Sequence, residues 1–201
     1  TSSFAGVTTL GASSTITVDG TSLTMSENIT DGSDTYNITK TGAGNLILTD
    51  AVNSYDGTTT ISAGTLTISG AGTLDSGNYD ANIINNAALA YASSATQSFD
   101  GVISGSGTLT KTGSSTLTVT GNNTYEGATT VNAGTLRVST NNALGTTNAG
   151  TTVGASGTLD LANINYSTAE ALALSGNLSA STGTSSFAGV TTLGASSTIT
   201  V

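Results

Sequence analysis

Short alternating runs of apolar and polar residues recur along the whole chain. Leu46 and Leu48, Leu66 and Ile68, Leu117 and Val119, and Leu136 and Val138 each stand two positions apart, with mostly Thr, Ser or Asn between and around them. A period of two puts one side of an extended strand into a core and the other toward water. The runs are cut by Gly, Asn-Asn or Asp-Gly, residues that accept positive φ or close their own turns. The pattern predicts strands and corners in close succession. Only 166–178, YSTAEALALSGNL, carries a helical hint, in Ala169, Glu170, Ala171 and Leu172. Leu172 and Leu174 alternate there, so a strand is expected.

The alternation is organised in repeats. Residues 1–18, TSSFAGVTTLGASSTITV, recur unchanged as 184–201, a spacing of 183 residues. The simplest reading is one unit over 1–183 and the start of an identical, continuous unit over 184–201. Duplication of one end alone is the alternative. Inside the unit, ITKTGAGNLILTDAVNSYDGTTTISAGTLTI (38–68) matches LTKTGSSTLTVTGNNTYEGATTVNAGTLRV (109–138). Lys40 pairs in this alignment with Lys111, Tyr55 with Tyr125, Gly57 with Gly127, and the AGTL block at 63–66 with that at 133–136. Such a repeat cannot bury its apolar side alone. Stacked coils make a continuous core in which like residues lie over like. The expected fold is all-β, a parallel β-solenoid, with about 20 to 25 residues per coil. A 183-residue unit then supplies roughly seven to nine coils and about 35 to 45 Å of rod.

Composition agrees with strands. Thr is about a fifth of the residues, and β-branched side chains suit a pleated surface. Charged residues are 7% of the chain, against about 25% in ordinary soluble domains, so hydroxyls and amides must wet the exterior. Disorder is not expected, because 36% of the residues are apolar and regularly spaced. Twelve acidic residues against Lys40, Lys111 and Arg137 leave a net charge of −9, which opposes nucleic acid and anionic membranes. The chain has no Cys and no His, so the usual zinc and transition-metal ligands are missing. Neither a membrane-spanning run nor a signal peptide is visible. The chain is expected to be internal to a longer protein.

The blocks TKTGSSTLTVTGNNTYEGATTVNAGTLRV and TKTGAGNLILTDAVNSYDGTTTISAGTL resemble the autotransporter passenger-associated β-strand repeat. The resemblance rests on an ordered series: TKTG, an alternating Leu strand, Asn-Thr-Tyr or Asn-Ser-Tyr, a Gly two residues after the Tyr, Thr-Thr, then AGTL. It implies a right-handed parallel β-helix passenger, exported across a Gram-negative envelope to the extracellular bacterial cell surface. It implies no catalytic residue.

Individual residues give weaker signals. Asp19, Asp31, Asp56, Asp100 and Glu126, each before Gly, could offer oxygen ligands to calcium. Turn chemistry is the preferred reading, because no EF-hand or calcium-roll motif is present. No catalytic, cofactor-binding or metal-binding residue is therefore assigned, and structural calcium stays open. Asp31 with Asp34, and Asp75 with Asp80, are the nearest approach to paired carboxylates for acid and base work. A polysaccharide-degrading enzyme would need such Asp residues beside Arg137 or a lysine. Lys40 and Lys111 alternate toward the core, and a lone buried lysine is costly; each is expected at a corner, its ammonium reaching out to water. Thr65 and Thr67, Thr108 and Thr110, and Thr116 and Thr118 are similar to the Thr ladders of ice-binding solenoids, but irregularly spaced. The pairs Asn85–Asn86, Asn122–Asn123 and Asn141–Asn142 are expected at corners, and Tyr55 and Tyr125 in packing. The expected function is a structural module of a surface filament or stalk, not an enzyme, with adhesion as a further role. Glycan or ice binding is the alternative. Its partners would be identical repeats end to end, other copies side by side in a fibre, and surface glycans.

Overall fold

The computed structural model describes residues 1–194 and 196–201, and it is a β-solenoid of parallel strands. Each coil has three strands and three corners, so the rod has three faces. The first face stacks Ser14–Thr17, Ile38–Thr41, Thr59–Ile61, Ile83–Asn85 and Ile103–Ser104. The second runs from Ser2–Phe4 through Ser22–Met25, Asn45–Leu48, Thr65–Gly70, Ala88–Ser93 and Thr108–Lys111 to the first halves of Thr129–Val138 and Thr151–Ala162, then Leu172–Leu174 and Thr191–Leu193. The third stacks Asn78–Tyr79, Gln97–Phe99, Thr116–Val119, the second halves of the two long strands, Asn177–Thr182 and Thr198–Thr200. The alternating runs predicted as separate short strands merge here: Thr129–Val138 and Thr151–Ala162 each turn a corner without leaving the ladder, through a register shift near Ala133.

Like residues stack over like. On the second face Leu23, Leu46, Leu66, Leu89 and Leu109 lie one above another. On the third face Leu117, Leu136, Leu159 and Leu178 do the same. Burying such a column from coil to coil contributes about 1.5 to 3 kcal/mol per large side chain, and it fixes register, because a one-residue slip would turn every Leu outward. Inside the middle coils Tyr55, Tyr79 and Phe99 form an edge-on aromatic column, with ring centroids 5.9 and 6.4 Å apart. The helical hint at 166–178 gives Asn165–Tyr166, Leu172–Leu174 and the start of Asn177–Thr182, all strands. Among the described residues the helical element is one 3-10 turn, Asp75–Gly77.

Where backbone pairing is interrupted, side-chain amides replace the rungs. Asn53 accepts from Ile29 N (3.3 Å) on one neighbouring coil and donates to the Thr73 carbonyl (2.9 Å) on the other. Its repeat partner Asn123 accepts from Ile103 N (2.7 Å) and donates to the Ala143 carbonyl (2.7 Å). Gln97 closes the ladder at Leu74 in both directions. A buried backbone group without such a partner would cost about 1–3 kcal/mol.

The repeat's glycines have two separate causes. Gly64 and Gly134, in the AGTL blocks, sit at φ +70° and +68°, where L side chains are strained. Gly57 and Gly127 face the carbonyls of Tyr36 and Gly107 on the coil below, where any Cβ would collide.

The two internal repeats do not lie above one another. Ile38–Thr41 of the first is on the first face, whereas Thr108–Lys111 of the second is on the second face. Their next strands, Asn45–Leu48 and Thr116–Val119, are on the second and third faces. The repeat therefore advances by three coils and one further face between copies.

Candidate interaction surface

Lys40 and Lys111 are fully buried, against the expectation that their ammonium groups reach water. Lys40 stands in the inner column between Ile16 and Ile61, and Lys111 between Tyr91 and Val131. Corner carbonyls converge on each ammonium and replace its water. Lys40 Nζ donates to Thr41 O (2.7 Å), Gly42 O (2.7 Å) and, one coil on, Ala63 O (3.0 Å). Lys111 Nζ donates to Gly113 O and to Ala133 O (3.3 Å), and lies 5.8 Å from the Tyr91 ring centroid. Burial pulls Lys111 down to about 8, and burial likewise lowers Lys40 against the opposing charge of Asp19. Both lysines tie a corner to the next coil, so neither is available to a substrate.

Tyr55 and Tyr125 are buried, and each hydroxyl meets the Thr four residues later, Thr59 at 2.9 Å and Thr129 at 2.6 Å. Burial raises both phenols, Tyr55 to about 12. They pack the core and offer no sugar platform. Of the Asn pairs expected at corners, Asn141–Asn142 lies in a turn, where Asn142 has φ +60° and donates to the Asn122 side chain (2.9 Å); Asn85 instead ends the strand Ile83–Asn85 and donates to the Thr108 carbonyl (2.9 Å), and Asn123 serves as a rung.

Several carboxylates are occupied with turns, although Asp31 Oδ1 is buried without a hydrogen-bond partner. Asp31 accepts from Tyr36 N (3.0 Å) and Asp56 N (3.4 Å), and Asp100 from Ser98 (2.5 Å) and Thr120 (2.6 Å). Asp34 accepts from the Tyr36 hydroxyl (3.3 Å) and Asp80 from Asn78 (3.0 Å). Asp75 is raised by burial and by Asp56, Asp80 and Asp31. Asp19 and Glu126 are exposed at the corners between the first and second faces. Among the described residues no three acidic side chains converge on a cation-sized position.

Arg137 does meet a carboxylate, but one that was not singled out. Its Nε lies 2.7 Å from Asp160 Oδ2 on the third face. Asp160 also accepts from Ser179 (2.8 Å) and from Ser181 N (3.0 Å) and Oγ (2.7 Å). Burial opposes its ionisation, but the bonds from Ser181, Arg137 and Ser179 outweigh it and hold the carboxyl below its usual range. A carboxylate with its lone pairs filled in this way serves poorly as a base, and one held ionised serves poorly as an acid. Glu170 was also missed. It is buried, Oε1 accepts from Thr151 (2.9 Å), Oε2 has no partner, and burial pushes it up to about 7. Its one sequence signal was to be a lone acid within an apolar run.

The exterior is organised by face. The middle outward column of the second face reads Thr24, Ile47, Thr67, Ala90, Thr110, Thr130, Thr152, Ala173 and Thr192. Of the Thr pairs that looked irregular in sequence, Thr116 and Thr118 lie on the third face, whereas Thr67 and Thr110 fall into this column, which is broken by Ile47, Ala90 and Ala173. Hydroxyls along it are uncharged and closely spaced, and the breaks remove a regular lattice.

Two apolar concavities mark the open ends of the core. One, of about 330 Å³, is lined by Phe4, Leu10, Ile16, Leu23 and Met25. The other, of about 280 Å³, is lined by Leu161, Leu178, Phe187, Ile199 and Val201 among others. Among the described residues no helix is long and apolar enough to cross a membrane.

Parallel coils, inward lysines at TKTG corners and left-handed glycines in AGTL blocks together define a parallel β-solenoid built on an internal repeat. The passenger-associated-transport-repeat family matches residues 38–68 and 109–138, so the chain carries two such repeats. Among curated proteins it is 57% identical over 82 residues to the Adhesin BmaC autotransporter of Brucella suis biovar 1 (strain 1330). That match covers 41% of this chain and 2% of the relative, so the chain spans a very small part of the protein it resembles. No solved structure matches the chain.

Proposed function

We propose that the chain is a rod-forming module of a bacterial cell-surface passenger, acting by length and stiffness, with adhesion through its hydroxyl-rich faces as a secondary role. Residues 1–183 are one unit and 184–201 open the next, in unbroken continuation. The observation that carries this reading is the ladder itself: coils hydrogen-bond to one another along three faces, and Lys40, Lys111, Asp31, Asp100, Asp160 and Glu170 bond from one coil to the next. Among the described residues the one ion pair, Arg137 with Asp160, has its carboxylate filled by serine donors. The relative's name, an autotransporter adhesin, supports surface display and an adhesive role.

The test places the 201 residues between a surface anchor and an epitope. A rod of about nine coils holds the epitope at a narrow distance of roughly 45 Å, whereas a Gly/Ser linker of equal residue count gives a broad distribution with an r.m.s. span of roughly 70 to 85 Å. Equal distributions would end the stalk reading. Glycan binding is the second reading, favoured by the uncharged second face. Beads coated with the chain and challenged with a glycan panel would support it if retention fell on substituting Thr67, Thr110 and Thr130 together.

A further inference from the structure

The segment present twice is held in two different environments. In its first copy Ser2–Phe4 is on the second face, Thr8–Thr9 on the third and Ser14–Thr17 on the first. In its second copy Phe187 pairs with Tyr166 on the first face, Thr191–Leu193 lies on the second and Thr198–Thr200 on the third. Every strand of the segment has moved by one face in the same direction. Between the copies the chain makes eight full coils and two thirds of another.

Burial differs in a complementary way. Leu10 and Val18 are 6% and 5% exposed beneath the following coil, whereas their copies Leu193 and Val201 are 58% and 102% exposed. Phe4 is 47% exposed, whereas its copy Phe187 stacks on Tyr166 at 5.4 Å and 15°. What covers Leu10 and Val18 is the coil formed by residues 19–41, through Leu10 N to Thr30 O (2.7 Å) and Val18 N to Thr41 O (3.0 Å). What lies under Phe187 is the coil of Tyr166. Each open end therefore lacks the coil that the other copy already has.

We propose that the edge formed by 184–201 is the docking surface for a following segment of the same sequence as 19–41, and that successive 183-residue units in such an array are related by a screw of one face. Each unit rises about 42 Å, at eight and two-thirds coils of ~4.8 Å, and turns by about 120°. A given surface residue returns to the same face only after three units, about 26 coils or roughly 125 Å. The array thus shows the second face's Thr column, and every other local feature, on all three sides in turn. A rod built this way has no blind side toward a surface or a neighbouring rod. The proposal rests on the tandem-rod reading above and adds to it the operator relating one unit to the next.

The test extends this chain by repeating its own residues 19–201 until six units follow one another. Thr152, exposed on the second face, is replaced in each unit by Thr152→Cys and labelled with gold for electron tomography. Labels every ~42 Å that step round the rod and realign at every third unit are the expected result. Continuous rods with all labels along one side would overturn the operator while leaving the rod reading intact. Separate beads joined at unit boundaries would overturn both.

Discussion

Lys40 and Lys111 close the same corner on different faces of the solenoid, each ammonium bound to the carbonyl two residues on, Gly42 or Gly113, and to an AGTL alanine of the next coil, Ala63 or Ala133. The repeat thus carries its own coil-to-coil tie, and the tie works on whichever face the repeat falls. Replacing the side chain removes both packing volume and the carbonyls' partner. Lys111→Ala is expected to cost about 2–4 kcal/mol. Lys111→Met should cost less, since it keeps the volume and removes a buried charge. Hydrogen exchange around residues 111–134 would report the loss locally, and unchanged protection in Lys111→Ala would contradict this role.

Gly134 combines φ +68° with a Cβ direction blocked by the Gly113 carbonyl and Lys111 Nζ. Gly134→Ala should therefore destabilise by about 2 kcal/mol or more. Gly20 has neither constraint and faces open space, so Gly20→Ala should be neutral or slightly stabilising. Thermal unfolding of the two variants compares them directly. An equal effect would show that glycine content, not corner geometry, matters.

Glu170 gives the chain a pH dependence of definite sign. Its folded pKa, pushed up to about 7 by burial, lies above the ordinary value of 4.5. The folded state holds the proton more tightly, so the group's contribution is complete below about 4.5, falls as pH rises through 7, and is flat above. Glu170→Gln should melt a few degrees higher than the parent at pH 8 and lose the advantage at pH 4. A difference that grows on acidification would refute the burial argument.

Arg137 and Asp160 are unequal partners. Arg137 is 39% exposed and Asp160 2% exposed, with Ser179 and Ser181 sharing the carboxylate. Arg137→Ala should cost about 1 kcal/mol or less. Asp160→Ala should cost more, about 1–3 kcal/mol, by stranding several donors at once. The reverse order in chemical denaturation would place the stability in the arginine instead.

The alternation of Leu46 with Leu48 or Leu117 with Val119 revealed which side chains face inward, and the paired blocks revealed that coils stack. The faces were not legible. Successive partners on the second face are separated by 23 residues from Leu23 to Leu46, but by 20 from Leu46 to Leu66. A sequence offset therefore does not tell how many corners lie between two copies. Lys40 and Lys111 were placed inward by alternation, yet their ammonium groups are held by carbonyls of their own corner together with one of the next coil, Ala63 or Ala133, which no local pattern displays. Asn53 and Asn123 were part of the repeat, but their role as rungs required the coils above and below. Asp160 lies 23 residues from Arg137 and becomes its neighbour only through stacking.

The central claim is that coils add length one rung at a time along a straight column. Spin labels on Thr24 paired in turn with Thr110, Thr152 and Thr192 measure it, because these residues lie four, six and eight coils apart on one outward column. The account predicts distances near 19, 29 and 38 Å, rising by ~4.8 Å per coil. Distances that fail to grow with coil number, or that are broadly spread, would contradict it.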